Sequence, residues 1–234
     1  MAMTEGAAES SAPTWREQAV ARSLDSARTR AEHRVQRFLD AALEFMNDSA
    51  TGKEFTVQEV VERSGQSLRS FYQYFGGKHE LLLALFEESV RRTADFLRDK
   101  ITGEDDALER LHVFVVEYYR LCRPRLEGKA AKKAGQPGGP VMADFAQQLL
   151  TGHPAEAARA FAPLAALFGE VLDGAAEAGA VRPGLAHGPI AGIVLEAIMF
   201  NAFSATIGGA TVKPNREDPA EALWDLILHG VGRT

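Results

Sequence analysis

The stretch TVQEVVERSGQSLRSFYQYFGGKHELLLALF, residues 56–86, contains two short helical patterns that meet at Ser64-Gly65-Gln66, with a third following at once. A connection this tight does not let the first two lie antiparallel, so they must cross steeply, as in a helix-turn-helix. Such a shape suits a DNA groove. Thr56 stands three residues before Glu59, the spacing at which a hydroxyl and a carboxylate satisfy each other's orphan backbone N–H groups. The second helix of the chain then presents Val57, Val60 and Val61 on one face. It stops at Gly65, which tolerates the left-handed conformation common just past a helix end. Ser67 fits as the N-cap of the third helix. There Phe71 and Phe75, four residues apart, share a face and should pack inward.

Working outward, Val35, Phe38, Leu39, Ala42, Leu43 and Met46 fall at helical spacing and predict a first helix from Arg28 to the loop-forming Ser49-Ala50-Thr51-Gly52. Residues 1–27 lack a sustained apolar face and read as a disordered tail. Arg16, Arg22, Arg28 and Arg30 would be either solvated there or able to reach a phosphate backbone or minor groove. On the other side a fourth helix begins at Gly77-Lys78 and runs to about Ile101, long enough to link the small module to the rest.

From residue 102 the chain reads as a second helical bundle. ALERLHVFVVEYYRLC stops at Pro124, and RPRLEGKAAKKAGQPGGP has the look of a mobile connection. Four further helices each start near a Pro and mostly end near a Gly. The expected class is therefore all-α, with a helix-turn-helix domain at 28–76, a linking helix at 77–101 and a larger bundle at 102–234.

Composition narrows the function. At 234 residues, 46% hydrophobic and 25% charged, the chain has an ordinary globular balance with length for a sizeable core. Nothing approaches 18 consecutive apolar residues, and the N-terminus lacks the basic start and apolar core of a secretory signal, so a cytoplasmic protein without a membrane span is expected. A single cysteine, Cys122, excludes an intrachain disulfide and a multi-cysteine zinc site. The net charge of −6 argues against a protein that coats nucleic acid without specificity, yet leaves room for a local DNA-reading surface.

GQSLRSFYQYFGGKHELLLALF, set behind a Thr-led helix and ahead of a long linking helix, resembles the DNA-binding domain of the tetracycline-repressor (TetR) family over about residues 28 to 85. The resemblance implies a C-terminal bundle forming a ligand pocket and a dimer interface. It further implies that Leu68, Arg69 and Ser70, next to Ser67, face base edges. Tyr72, Tyr74, Lys78 and Thr56 would hold phosphates, and Gln58 would stand where some relatives reach a base. The chain departs from the commoner pattern at Leu68, Arg69 and Gln73. Base preference therefore does not carry over.

Arg69 has two readings, a bidentate contact to guanine worth about 1 to 3 kcal/mol of discrimination, or a phosphate contact that positions without specifying. Tyr72 and Lys78 suit phosphate, since the fourth helix aims its N-terminal amides at the same place. Tyr74 and Phe75 fit equally well as core aromatics. One module reads few base pairs, so a homodimer on a palindromic operator is expected, joined through the last two helices, whose wide apolar stripes would otherwise be buried within one subunit.

In the second bundle Phe96, His112, Phe114, Tyr118, Tyr119, Cys122, Met142, Phe145, Phe168 and Met199 supply bulky groups and a few polar handles. They read either as a pocket for a small apolar or amphipathic effector or as core. The six histidines show no paired metal-ligand spacing, and Cys122 lies ten residues from His112 on another helix face, so no metal, cofactor or catalytic site is expected. The reading is a ligand-responsive regulator, a repressor of the TetR type, whose partners are double-stranded operator DNA, an effector and a second copy. Its rivals are a DNA-binding dimer without effector, and a helical enzyme or lipid carrier.

Overall fold

The computed structural model describes residues 14–48, 55–122, 140–181, 184, 186–207 and 218–231. Among them the chain is all-α. The order is α1 (Trp15–Asp48), α2 (Val57–Ser64), α3 (Leu68–Tyr74), α4 (Lys78–Ile101), α5 (Ala107–Cys122), α6 (Pro140–Gly152), α7 (Pro154–Glu177), α8 (His187–Ile207) and α9 (Pro219–Val231). No strand is formed among the described residues. Residues 1–13 of the expected tail, the loop at 49–52 and the connection at 123–139 lie outside the described residues.

The first helix corrects one expectation. It starts at Trp15 and includes residues 15–27, which had read as tail. Helix formers fill this stretch without Gly or Pro, so propensity sustains it where an apolar stripe does not. Local bonds add to this: Arg22 Nε donates to the Gln18 carbonyl at 3.3 Å, and Arg28 Nε donates to Glu32 at 2.7 Å. Burial begins only at Ala31, and Trp15, Val20 and Leu24 stand in solvent.

The module of α1 to α3 closes on three rings. Phe38 meets Phe71 edge-on at 5.4 Å and Phe75 at 6.1 Å, all three buried. Val60, Val61 and Met46 complete this core. Helix α4 then joins the two parts, packing on α1 at one side and on α5 and α7 at the other. Ion pairs run along the α4–α7 seam, Arg98 to Glu170 at 2.9 Å and Arg159 to Glu87 at 3.2 Å. They are exposed, so each contributes little beside the buried Leu97, Leu164, Leu167 and Phe168. Caps set the starts of later helices: Asp106 Oδ1 accepts from Glu109 N at 2.8 Å, and Asp218 Oδ1 from Ala220 N at 3.0 Å.

Candidate nucleic-acid interface

Three caps fix how α2 and α3 meet. The Thr56 hydroxyl accepts from Glu59 N at 3.2 Å while Thr56 N donates to Glu59 Oε2 at 2.7 Å, a complete capping box. Gly65 ends α2 at φ 65°, where its N–H turns back to the Glu62 carbonyl. Ser67 Oγ accepts from Ser70 N at 3.1 Å and starts α3. With both ends of the turn fixed in this way, the outer face of α3 is held in one orientation.

That face carries Leu68, Arg69 and Tyr72, all exposed, Tyr72 by 57%. Arg69 finds no hydrogen-bond or ion-pair partner among the described residues, so its fork of donors is available. The Tyr72 ring stands edge-on to Phe71 at 5.4 Å, which fixes the ring and leaves its hydroxyl outward. Tyr74 differs: it is half-buried and packs against the core.

Helix α4 begins at Gly77 without a side-chain cap hydrogen bond, its first amides lying at that end. Lys78 lies over the Phe55 ring at 4.9 Å, which holds the ammonium near that helix end. Glu80 curls back to the Gly76 N–H at 2.7 Å and places a carboxylate close by. An arriving phosphate would meet both the amides and this charge.

Two expected readers are otherwise engaged. The Thr56 hydroxyl also donates to Glu59 Oε2 at 2.9 Å, and Gln58 Nε2 donates to Glu62 at 2.9 Å. Ser70 is the larger surprise. Its Oγ is covered and finds no hydrogen-bond partner among the described residues, so in this structure it points inward, away from any base edge.

The residues expected to line a pocket separate into groups. Phe114, Tyr118, Tyr119, Met142, Phe145, Phe168 and Met199 are buried, with Phe114 and Phe168 rings 4.7 Å apart. Cys122 meets the Tyr118 hydroxyl at the end of α5, and burial pushes its thiol up to about 12. Phe96 does not belong with them: it is 37% exposed, under Lys100 on the outer side of α4. Near it on this helix the apolar positions that face inward are Val90, Ala94, Leu97 and Ile101.

His112 is a joint residue. Its Nε2 bonds Glu221 at 2.8 Å, its Nδ1 bonds Glu109 at 3.1 Å, and Trp224 packs on the ring at 5.0 Å, tying α5 to α9. Desolvation opposes its charged form, but the bonds to Glu221 and Glu109 outweigh it and raise the pKa from the ordinary histidine value. A shallow cleft, partly open to solvent, runs between α1 and α4 past Leu39, Leu43, Leu85 and Arg92.

A capped two-helix crossing with an exposed, donor-rich third helix defines a helix-turn-helix DNA-binding protein. Residues 38–85 match the model of the family described as bacterial regulatory proteins, tetR family. The chain thus carries a DNA-binding domain of that family over these residues, within an all-α fold.

The uncharacterised HTH-type transcriptional regulator YvdT of Bacillus subtilis (strain 168) is 24% identical over 86 residues, 37% of this chain. The match spans 44% of that relative's length. Among solved structures, the fatty acid degradation regulator FadR from Bacillus halodurans is similar with a TM-score of 0.62 at 17% identity, over 84% of this chain and 95% of that one. FadR from Bacillus subtilis, in complex with stearoyl-CoA, is similar with a TM-score of 0.58 at 15% identity, over 83% of this chain and 95% of that one. At these identities the likeness is one of fold. No helix among the described residues is long and apolar enough to cross a membrane.

Proposed function

We propose that this protein is a ligand-responsive repressor that acts in the cytoplasm, binding a palindromic operator as a homodimer and leaving it when a small apolar or amphipathic effector enters the C-terminal bundle. The observation that carries the DNA half is the outer face of α3, where Arg69 and Tyr72 are exposed and the helix is fixed by Gly65 and Ser67. Leu68, Arg69 and Tyr72 form the reading tip in this proposal. Lys78 and the first amides of α4 take a phosphate, and the exposed Arg16 and Arg30 on the extended α1 lie within reach of the backbone.

Dimerisation is supported by apolar residues left outward on the last two helices. Ile193 and Phe200, seven apart on α8, share a face, Ile193 being 65% exposed, and Leu226 on α9 is 70% exposed. A second copy would cover such a stripe as two helices pack on two. The effector half is supported by the apolar interior of the bundle and by the fold shared with a regulator solved with stearoyl-CoA. Phe114 packed on Phe168 favours, as a second reading, a DNA-binding dimer that takes no effector.

Selection from a random double-stranded DNA pool at moderate salt tests the first reading. A palindrome whose half-sites lie about 34 to 36 Å apart is the expected product. Arg69→Ala should weaken its binding about 5- to 150-fold, as a lost base contact of about 1 to 3 kcal/mol requires. No enriched sequence would refute the DNA function, and an unaffected Arg69→Ala would refute the tip. Long-chain acyl-CoA added to the complex then separates the two readings, since only the first expects release.

A further inference from the structure

At the corner where α4 starts beside α7, two imidazoles and a carboxylate converge. His79 is the second residue of α4, His153 fills the break between α6 and α7, and Glu156 lies in the first turn of α7. One ligand atom from each lies within 4.8 Å of the other two. His79 Nε2 stands 2.8 Å from Glu156 Oε2, and His153 Nδ1 stands 3.8 Å from the same oxygen. The two rings are 4.6 Å apart and tilted by 40°.

A hydrogen bond between His79 and Glu156 accounts for one imidazole. It leaves the second ring tilted beside the first, its Nδ1 too far from the shared carboxylate oxygen for a hydrogen bond. Two imidazoles converging with a carboxylate are a donor set for a transition metal. We propose that His79, His153 and Glu156 form a site for a divalent transition-metal ion, of which Zn²⁺ is the best match and Co²⁺ a faithful probe.

The dimensions fit. Zinc holds nitrogen and oxygen ligands at about 2.0 to 2.2 Å, so tetrahedral ligand atoms lie about 3.4 Å from one another. The two approaches to Glu156, 2.8 and 3.8 Å, bracket that spacing, and all three side chains have room to turn because none is buried. Three protein ligands leave a fourth position open to water. The backbone is already placed: His153 N donates to the Leu149 carbonyl at 2.8 Å, and its own carbonyl accepts from Ala157 N at 3.0 Å. Phe145 lies 5.5 Å from the His79 ring and borders it on the inner side. Imidazole donors disfavour Mg²⁺ and Ca²⁺, which seek oxygen.

A bound ion would pin the first turn of α4, next to Lys78, to the α6–α7 corner. The site itself does not depend on DNA binding and is tested without DNA. The full chain, stripped with chelator and dialysed, is titrated with Co²⁺ followed by visible absorption and with Zn²⁺ followed by calorimetry. One ion per chain in a tetrahedral spectrum is expected. His79→Gln, His153→Gln and Glu156→Gln should each weaken binding by more than about tenfold, the least that even outer partners of a metal site usually cost.

His229→Gln, on α9 with its ring bonded to the Asp225 carbonyl, should leave binding unchanged. Imidazole nitrogen shifts of His79 and His153 in the unaltered chain on adding Zn²⁺ give the same answer whether or not a variant folds. Absence of those shifts, binding undiminished in the three variants, or equal loss in His229→Gln would each overturn the site.

Discussion

The helix-turn-helix module and the C-terminal bundle both bury aromatic rings, but to different effect. In the module Phe38, Phe71 and Phe75 form one knot under helices of only two turns, and everything outside the knot is held by caps. In the bundle Phe86, Phe114, Phe145 and Phe168 are spread along helices that reach 24 residues, where packing alone decides which way each ring faces. Short capped helices therefore present a fixed outer surface, while long helices keep their chemistry inside or at their joints.

The largest expected effect tests the knot. Phe71→Ala should cost about 3–5 kcal/mol, since it removes a fully buried ring that touches Phe38, Phe75 and Tyr72. Urea unfolding followed by circular dichroism measures this. Phe114→Ala, equally buried against Phe168, should cost as much if the bundle is a filled core. A much smaller cost would show that the ring borders a space able to give way, as an effector site requires.

Next in size is the turn. Gly65 adopts φ 65°, a conformation that costs a residue with a Cβ about 1–2 kcal/mol. A Cβ there would also come 3.1 Å from Arg37 Nη2, the movable end of a long side chain that can shift. Gly65→Ala should therefore lower stability by about that strain alone, and lower operator affinity with it by tilting α3. If affinity held while stability fell, the turn would position less than the caps suggest.

The module was the more legible part of the chain for the same physical reason. Thr56, Glu59, Gly65 and Ser67 act within a few residues of themselves, so their spacing predicts their geometry, and the structure has it. The start of α1 was missed because residues 15–27 are held by helix propensity and local bonds, without the apolar stripe that periodicity detects. Phe96 and His112 misled because helical spacing does not say which neighbour a side chain meets. Phe96 turned to solvent under Lys100, and His112 was taken up by Glu221, 109 residues away in sequence. The cluster of His79 with Glu156 spans 77 residues. Only the three-residue step from His153 to Glu156 hinted at it.

A smaller effect lies at the α5–α9 joint. His112 has its folded-state pKa raised, so it binds its proton more tightly in the folded chain than in the unfolded one, where histidine titrates near 6.5. The stabilisation is complete below about pH 6.5 and is lost as pH rises through the folded value. Because the pair is partly solvated, its size should stay below about 1 kcal/mol. Melting temperatures from pH 5.5 to 8.5 should decline more steeply for the native chain than for His112→Gln over that window. Parallel curves would mean that Glu109 and Glu221 do not hold the proton.

The smallest effect has the opposite sign, and it bears most directly on the reading tip. The family resemblance gives Ser70 a base edge, while the structure covers its Oγ and leaves it without a partner among the described residues. A covered hydroxyl with no bond destabilises, and such groups carry penalties of about 1–3 kcal/mol when wholly cut off from water. Ser70 is only half-buried as a residue, so relief should be partial. Ser70→Ala keeps the backbone N–H that caps onto Ser67 and raises helix propensity. It should leave the melting temperature unchanged or raise it by the equivalent of up to about 1 kcal/mol, with operator affinity intact. Affinity that fell as far as in Arg69→Ala would instead mean that the hydroxyl rotates outward on DNA, and that the reading tip takes its final form only in the complex.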